Sequence, residues 1–179
     1  MEKRYPLSYI SYLSEFHATR DFFECHELLE EYWKEHPNEP LTDTWHGLIQ
    51  LAVGLYHHRR GNWAGALKMW TQALIRLHED KLEQLGLDGG ALLRELTERR
   101  DLLERDHTYS YIDMTLQIRD AELKEACLQQ CRTNGWTWGM PSTEADESVI
   151  QRHKTRDRSE VVAARALSAE QKRHERMQG

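Results

Sequence analysis

The chain has 179 residues and a formal net charge of −6 at pH 7, and 39 % of its residues are apolar. This length fits one domain with an appendage and can bury a core without disulfides. The three cysteines do not have the spacing of a disulfide scaffold, which excludes that class. The sequence also has no apolar run of ~18 residues and no secretory signal, which excludes a membrane protein. The sequence therefore predicts a cytoplasmic protein, and its acidic balance argues against nucleic-acid binding, which needs a dense basic face.

Residues 1–107 are predicted to form an all-α, compact antiparallel bundle of about five helices. Pro6 suits the first turn of the first helix, Thr19 caps the second, and Pro37 ends it. Gly61 and the residue after it connect the third and fourth helices so tightly that these must form an antiparallel hairpin. The predicted helices span residues 6–17, 20–35, 42–60, 63–77 and 89–104.

The third helix is predicted to be the central one. Its apolar residues cover most of its circumference, so it must be packed on several sides. Gly47 and Gly54 lie seven positions apart on its remaining side. Glycines there would let a neighbouring element come close, at some cost in helix propensity.

Residues 108–179 are predicted to form a C-terminal extension. Apolar and polar residues alternate over 112–118, and this period of two predicts an extended segment. One or two further helices follow, the first capped by Asp120 and the last by Ser159. We expect a homodimer contact or a protein partner to use this extension.

The end of the chain is basic. Residues 150–179 carry eight Lys and Arg against four Asp and Glu, so a tail of charge +4 follows a body of charge −10. Three interpretations are open: a solvated end, a segment that folds back on the acidic body, and a segment that binds a partner.

Two polar residues lie at the edge of the apolar face of the second helix. On a helical wheel of ~100° per residue, His26 and Glu30 fall in or beside the buried stripe, whereas Glu24 and Glu27 face water. A buried histidine beside a buried carboxylate must be compensated by other polar groups.

The third helix offers such groups, because His46, Gln50 and His57 lie within ~40° of one another on its wheel. If the two helices pack antiparallel, His26 and Glu30 would face Gln50 and His57. Two histidines and one carboxylate suit a divalent metal such as zinc, manganese or iron, and an open coordination position could activate water. The sequence thus offers His26, Glu30 and His57 as metal ligands.

Two other interpretations of these residues remain open. They could close a structural polar network without a metal, or they could line a metal-free ligand pocket. The run from His26 to Glu30 differs from the HExxH motif of zinc proteases in its second ligand. Glu27 could act as a base only if the helix were rotated from the assumed phase.

Two stretches carry a dense pattern of aromatic, histidine and acidic residues: FHATRDFFECHELLEEYW from residue 16 and WHGLIQLAVGLYHHRRGNWAGALKMWTQAL from residue 45. The pattern closely resembles the prokaryotic family called domain of unknown function 309. The resemblance covers residues 9–78, with Cys25 where alanine is usual, and the extension resembles the longer members from Gram-positive, spore-forming bacteria. The matching residues are Phe16, Arg20, Phe22, Phe23, Glu24, His26, Glu27, Glu30, Trp33, Gly47, Leu48, Ile49, Gln50, Tyr56, His57, Gly61, Asn62, Ala66 and Leu67.

The resemblance implies a bacterial, all-α bundle without an established activity, from a family labelled as a predicted metal-dependent hydrolase. In such a hydrolase, His26, Glu30 and His57 would hold the metal, Glu27 would be the base, and Arg20 would hold an anionic group of the substrate. The predicted binding pocket comprises Arg20, Glu24, His26, Glu30, Gln50, Tyr56 and His57.

Three functions are therefore open. The hairpin around Gly61 looks like half of a tetratricopeptide-type unit, which favours an interaction module that binds a peptide or another subunit. The second function is the metal-dependent hydrolase. The third is a sensor of a small molecule or anion that uses the same pocket without metal. We favour the interaction module.

Overall fold

The computed structural model describes residues 4–144 and 147–150, and the secondary structure of these residues is helical. This confirms the predicted all-α class. The predicted helix at Ser159 and the basic tail lie outside the described residues. The helices are α1 Leu7–His17, α2 Phe22–Glu35, α3 Thr42–Arg59, α4 Trp63–Arg76, α5 Glu79–Gln84, α6 Gly89–Arg105, α7 Ala121–Asn134 and α8 Glu147–Ile150.

The helix starts follow local capping chemistry. Asn62, Asp88 and, as predicted, Asp120 cap α4, α6 and α7, each accepting a hydrogen bond from the backbone two or three residues later. The predicted cap of α2 was wrong: Asp21, rather than Thr19, accepts from the backbone N–H of Glu24 at 3.1 Å. The backbone of Arg20, at φ +56°, turns the chain between α1 and α2 and so delays the start of α2.

A short helix, α5, was missed. It has six residues, mostly charged, and buries only Leu82. A helix of this length shows no apolar periodicity, so tertiary packing on α6 decides its presence.

Helix α3 is central, as predicted. It packs against α2 on one side and α4 on the other, and most of its residues are buried. A β-carbon added at Gly54 would lie 2.2 Å from Nε1 of Trp70, and one at Gly47 would lie 2.7 Å from the side chain of Leu77. The two glycines therefore admit large side chains from α4 and the residue that follows it.

Aromatic side chains of α1 fill the space beneath α3. The ring of Tyr9 meets that of Trp45 edge-on at 5.3 Å, and its hydroxyl donates to the carbonyl of Leu85 at 2.8 Å. The hydroxyl of Tyr12 donates to the carbonyl of Leu48 at 2.8 Å. Each phenol thus buries its ring while its polar tip is satisfied.

The extension packs onto the same core. Between α6 and α7 the chain forms no helix, and Met114 and Leu116 are buried while Thr115 and Gln117 are exposed, as the period of two predicts. Ile112 departs from that pattern, because its side chain is 58 % exposed. Helix α7 packs on α1 through its apolar face. No helix in the described ranges is long and apolar enough to cross a membrane.

Candidate functional site

One stripe of α3 is only half-buried, in contrast to the rest of its circumference. His46, Val53 and His57 lie on this stripe, with the more deeply buried Gln50 in line with them. Helices α2 and α4 flank the stripe, so the three helices form a layer with one side turned away from α1. We call this surface the open face; it comprises His26, Glu30 and Trp33 of α2, His46, Gln50, Val53 and His57 of α3, and Gln72 and Arg76 of α4.

The α2 border of the open face is a line of contacts to the carboxylate of Glu30. Nε2 of His26 lies 2.5 Å from one carboxylate oxygen of Glu30, and Nζ of Lys34 lies 2.6 Å from the other. Burial raises the pKa of Glu30, but the hydrogen bond from Lys34 and the nearby His26 outweigh burial and hold the pKa below its usual value. Both oxygens of Glu30 are thus already bound by side chains of its own helix.

His46 connects the two borders of the open face. Its ring packs against Trp33 of α2 at 4.4 Å, and it feels the charges of both Glu30 and Arg76. Burial and the neighbouring Arg76 lower the pKa of His46. The neutral form is favoured, which suits a ring that contacts an aromatic partner.

The remaining polar side chains of the stripe on α3 form hydrogen bonds at the α4 border. Nε2 of Gln50 donates to Oε1 of Gln72 at 2.8 Å. Nδ1 of His57 accepts from Nδ2 of Asn62, the cap of α4, at 3.3 Å. Gln50 and His57 therefore each bind a side chain on the α4 side, and their predicted contact with His26 and Glu30 stays a prediction.

The predicted metal site on His26, Glu30 and His57 stays a prediction. The described residues contain no group of three or more His, Cys, Asp and Glu placed to hold a metal ion. Glu30 is bound by His26 and Lys34, and His57 contacts Asn62. Nδ1 of His26 has no hydrogen-bond partner in the described residues, and we derive no chemistry through a metal.

Of the other predicted pocket residues, Arg20 lies apart from the open face and Tyr56 lies beside it. Arg20 is buried under the extension, where its Nε donates to the carbonyl of Met140 at 2.8 Å. Tyr56 is buried, and its ring centre lies 5.7 Å from that of His57 and 5.6 Å from that of Phe23, which in turn packs against His26 at 5.4 Å. Glu24 and Glu27 are half-buried, although the helical wheel placed them in water. The predicted pocket is thus divided among at least two places.

Arg59 makes contacts that the sequence did not predict, although its basic run, residues 57–60, is open in the sequence as an anion-binding site as well as a helix-dipole contact. Its Nη1 donates to the carbonyl of Arg20 at 2.8 Å and to Oγ of Ser142 at 3.1 Å, and its guanidinium lies over the ring of Phe22 at 4.5 Å. In the sequence it stands in a basic run at the end of α3, where an interaction with the helix dipole is a sufficient explanation. No local signal connects it to a serine 83 residues later.

The fold and the open face define an all-α protein in which a three-helix layer carries the candidate site. The chain belongs to the DUF309 family, whose model, described as "Domain of unknown function", matches residues 9–69. This segment contains every residue of the open face except Gln72 and Arg76.

The relatives found are themselves uncharacterized. The chain is 44 % identical over 174 residues to the uncharacterized protein YpuF of Bacillus subtilis (strain 168). That alignment covers 96 % of this chain and 99 % of the relative. The chain is also 37 % identical over 57 residues to an uncharacterized protein of Aquifex aeolicus (strain VF5). That alignment covers 32 % of this chain and 17 % of the relative. No solved structure matches the chain significantly.

Proposed function

We propose that the chain is a protein-interaction module that holds a segment of a partner protein on the open face. The observation that carries the proposal is the half-buried stripe of α3, which has an apolar residue, Val53, between the polar His46 and His57. Layers of antiparallel helices commonly bind peptides on such a surface.

The composition of the open face suits a protein partner better than a catalytic site. Trp33 and His46 form an aromatic pair at one end, of the kind that anchors an interface. The polar residues are arranged in pairs along α2 and between α3 and α4, such as His26 with Glu30 and Gln50 with Gln72. Nδ1 of His26, Oε1 of Gln50 and Nε of Arg76 are buried without a hydrogen-bond partner in the described residues, so polar groups of a bound segment could pair with them.

Photo-crosslinking at Val53 tests the proposal directly. We would replace Val53 with a photo-reactive phenylalanine derivative in cells that make the protein, and identify adducts by mass spectrometry. Leu7, which is 59 % exposed on α1, is the matched control position, and Ile112 reports on the extension that the sequence favoured for a partner or a second copy. We expect one dominant protein adduct at Val53 that is absent at Leu7.

The outcomes separate the partners. An adduct between two copies of the chain would identify a homodimer, and a dominant adduct at Ile112 alone would move the interface to the extension. Equal, weak labelling at Val53 and Leu7 would contradict the proposal. The metal-dependent hydrolase stays a prediction, for which the metal content of the purified protein beside His26→Ala is the direct measurement.

A further inference from the structure

The guanidinium of Arg59 has one edge without an acceptor. Nη1 donates to the carbonyl of Arg20 and to Ser142, but Nε and Nη2 are buried and donate to no acceptor in the described part of the chain. These two nitrogens form the side of a guanidinium that pairs with both oxygens of a carboxylate or phosphate. Both donors that would bind such an oxyanion are therefore without an acceptor.

Burying these two N–H donors without an acceptor costs free energy, because each charged donor has lost its water without gaining a partner. Burial also lowers the pKa of Arg59 below its usual value, although Tyr111 and Asp113 act in the opposite direction. Even so, the guanidinium of Arg59 is held over the ring of Phe22, 4.5 Å from its centre.

Arg99 shows how the same fold satisfies a structural arginine. Its Nε and Nη2 both reach Oε1 of Glu95, at 3.3 and 3.1 Å, and its Nη1 donates to the carbonyl of Ile112 at 2.6 Å. The edge that Glu95 occupies on Arg99 is the edge that lacks an acceptor on Arg59. An acceptor from outside the described residues would complete Arg59 in the same way.

The nearby carboxylates are directed to other donors. Asp113 accepts from the hydroxyl of Tyr111 at 2.7 Å and from the backbone of Ser142 at 2.8 Å. Asp21 accepts from the backbone of Glu24 at the start of α2. Neither of these carboxylates accepts from Nε or Nη2 of Arg59, so both donors stay available to an anion.

We infer that the free edge of Arg59 binds a small oxyanion, a carboxylate or phosphate group, where the end of α3 meets the start of α2. The site is covered by the segment around Ser142, whose side chain is 8 % exposed while the flanking Pro141 and Thr143 are exposed. Because this cover is one short surface segment, a local movement of it opens a path to Arg59. This site is distinct from the open face.

Thermal unfolding with inorganic phosphate or acetate, each against sodium chloride at equal ionic strength, tests the inference. A ligand that binds only the folded state raises the melting temperature with its concentration. Arg59→Lys keeps the charge but lacks the planar fork, and Arg60→Lys makes the same change at the adjacent residue. We expect wild type and Arg60→Lys to respond, and Arg59→Lys to bind at least about tenfold more weakly.

A resonance of the wild type gives a second readout that does not depend on the folding of a variant. The Nε–H signal of Arg59 in a nitrogen-15 spectrum should shift with the binding anion and stay unchanged in chloride. A response to acetate alone would identify a carboxylate ligand, and a response to phosphate alone a phosphate. Equal effects of all three salts, with an unchanged Nε–H signal, would overturn the inference.

Discussion

At the scale of single residues, His17 links α1 to the extension. Its Nδ1 is 2.8 Å from the carbonyl of Leu13, and its Nε2 is 3.0 Å from the backbone nitrogen of Leu116. Because a backbone N–H can only donate, Nε2 is the acceptor and Nδ1 carries the proton. Trp138 stacks on the ring at 4.3 Å. In the neutral form both ring nitrogens make hydrogen bonds, so adding a proton to Nε2 would break its bond from Leu116.

We expect His17 to make the folded state sensitive to acid. Burial lowers its pKa from 6.5 to about 4, against weaker opposing effects of its backbone hydrogen bonds. Its contribution is complete above the unfolded pKa of 6.5 and is lost as the pH falls toward 4, since only the unfolded chain takes up the proton in that range. The loss should reach about 3 kcal/mol.

Urea unfolding between pH 7 and pH 4.5 measures this contribution. His17→Gln cannot titrate, so its free energy of unfolding should fall less steeply with pH than that of wild type. His46→Gln, which alters a less buried histidine, is the matched control. Parallel pH profiles for wild type and His17→Gln would show that another group causes the sensitivity.

At the scale of elements, the α3–α4 hairpin combines a local and a tertiary cause. Gly61 has φ +86°, a left-handed conformation that glycine adopts without strain, and Asn62 then caps α4. These two residues set the tight turn from sequence alone. The close approach of the helices is a matter of packing, because Trp70 lies where a β-carbon of residue 54 would be.

Gly54→Ala should therefore destabilise the protein although alanine is the better helix former. The added β-carbon would lie 2.2 Å from the indole of Trp70, and overpacking of this kind costs about 1–3 kcal/mol. Gly47→Ala is the matched control, because it meets the more adaptable side chain of Leu77 and should cost less. Denaturant unfolding compares the two, and an equal or higher stability of Gly54→Ala would contradict the packing argument.

At the scale of the whole molecule, the extension belongs to the core. Met114, Leu116, Leu123 and Cys127 join the same cluster of buried residues as the helices before residue 107. The predicted division of the chain into 1–107 and 108–179 stays a prediction, and these contacts argue that the first part does not fold alone.

A chain that ends at residue 107 should lose cooperative unfolding. Each buried apolar side chain of the extension contributes ~1.5–3 kcal/mol, so the four together approach the ~5–15 kcal/mol of a typical domain. A chain that ends at residue 150 is the control, since it keeps the described part of the extension and lacks only residues 151–179. Calorimetry of the two would decide, and a sharp transition of the shorter chain at the same temperature would count against the prediction.

The sequence by itself determined most helices and the central position of α3. Capping residues, prolines and apolar periodicity act within a few residues along the chain, so they can be recognised without knowing the fold. The resemblance to the DUF309 family came from the same local patterns, and the family match confirms it.

Only the tertiary structure decided which polar groups meet. Gln50 binds Gln72 of α4, and Arg59 binds Ser142 of the extension. A helical wheel gives the direction of a side chain relative to its own helix, but the partner depends on which helix lies on that side. The extension adds partners that are far away in sequence, and its position follows from the core that all the elements bury together.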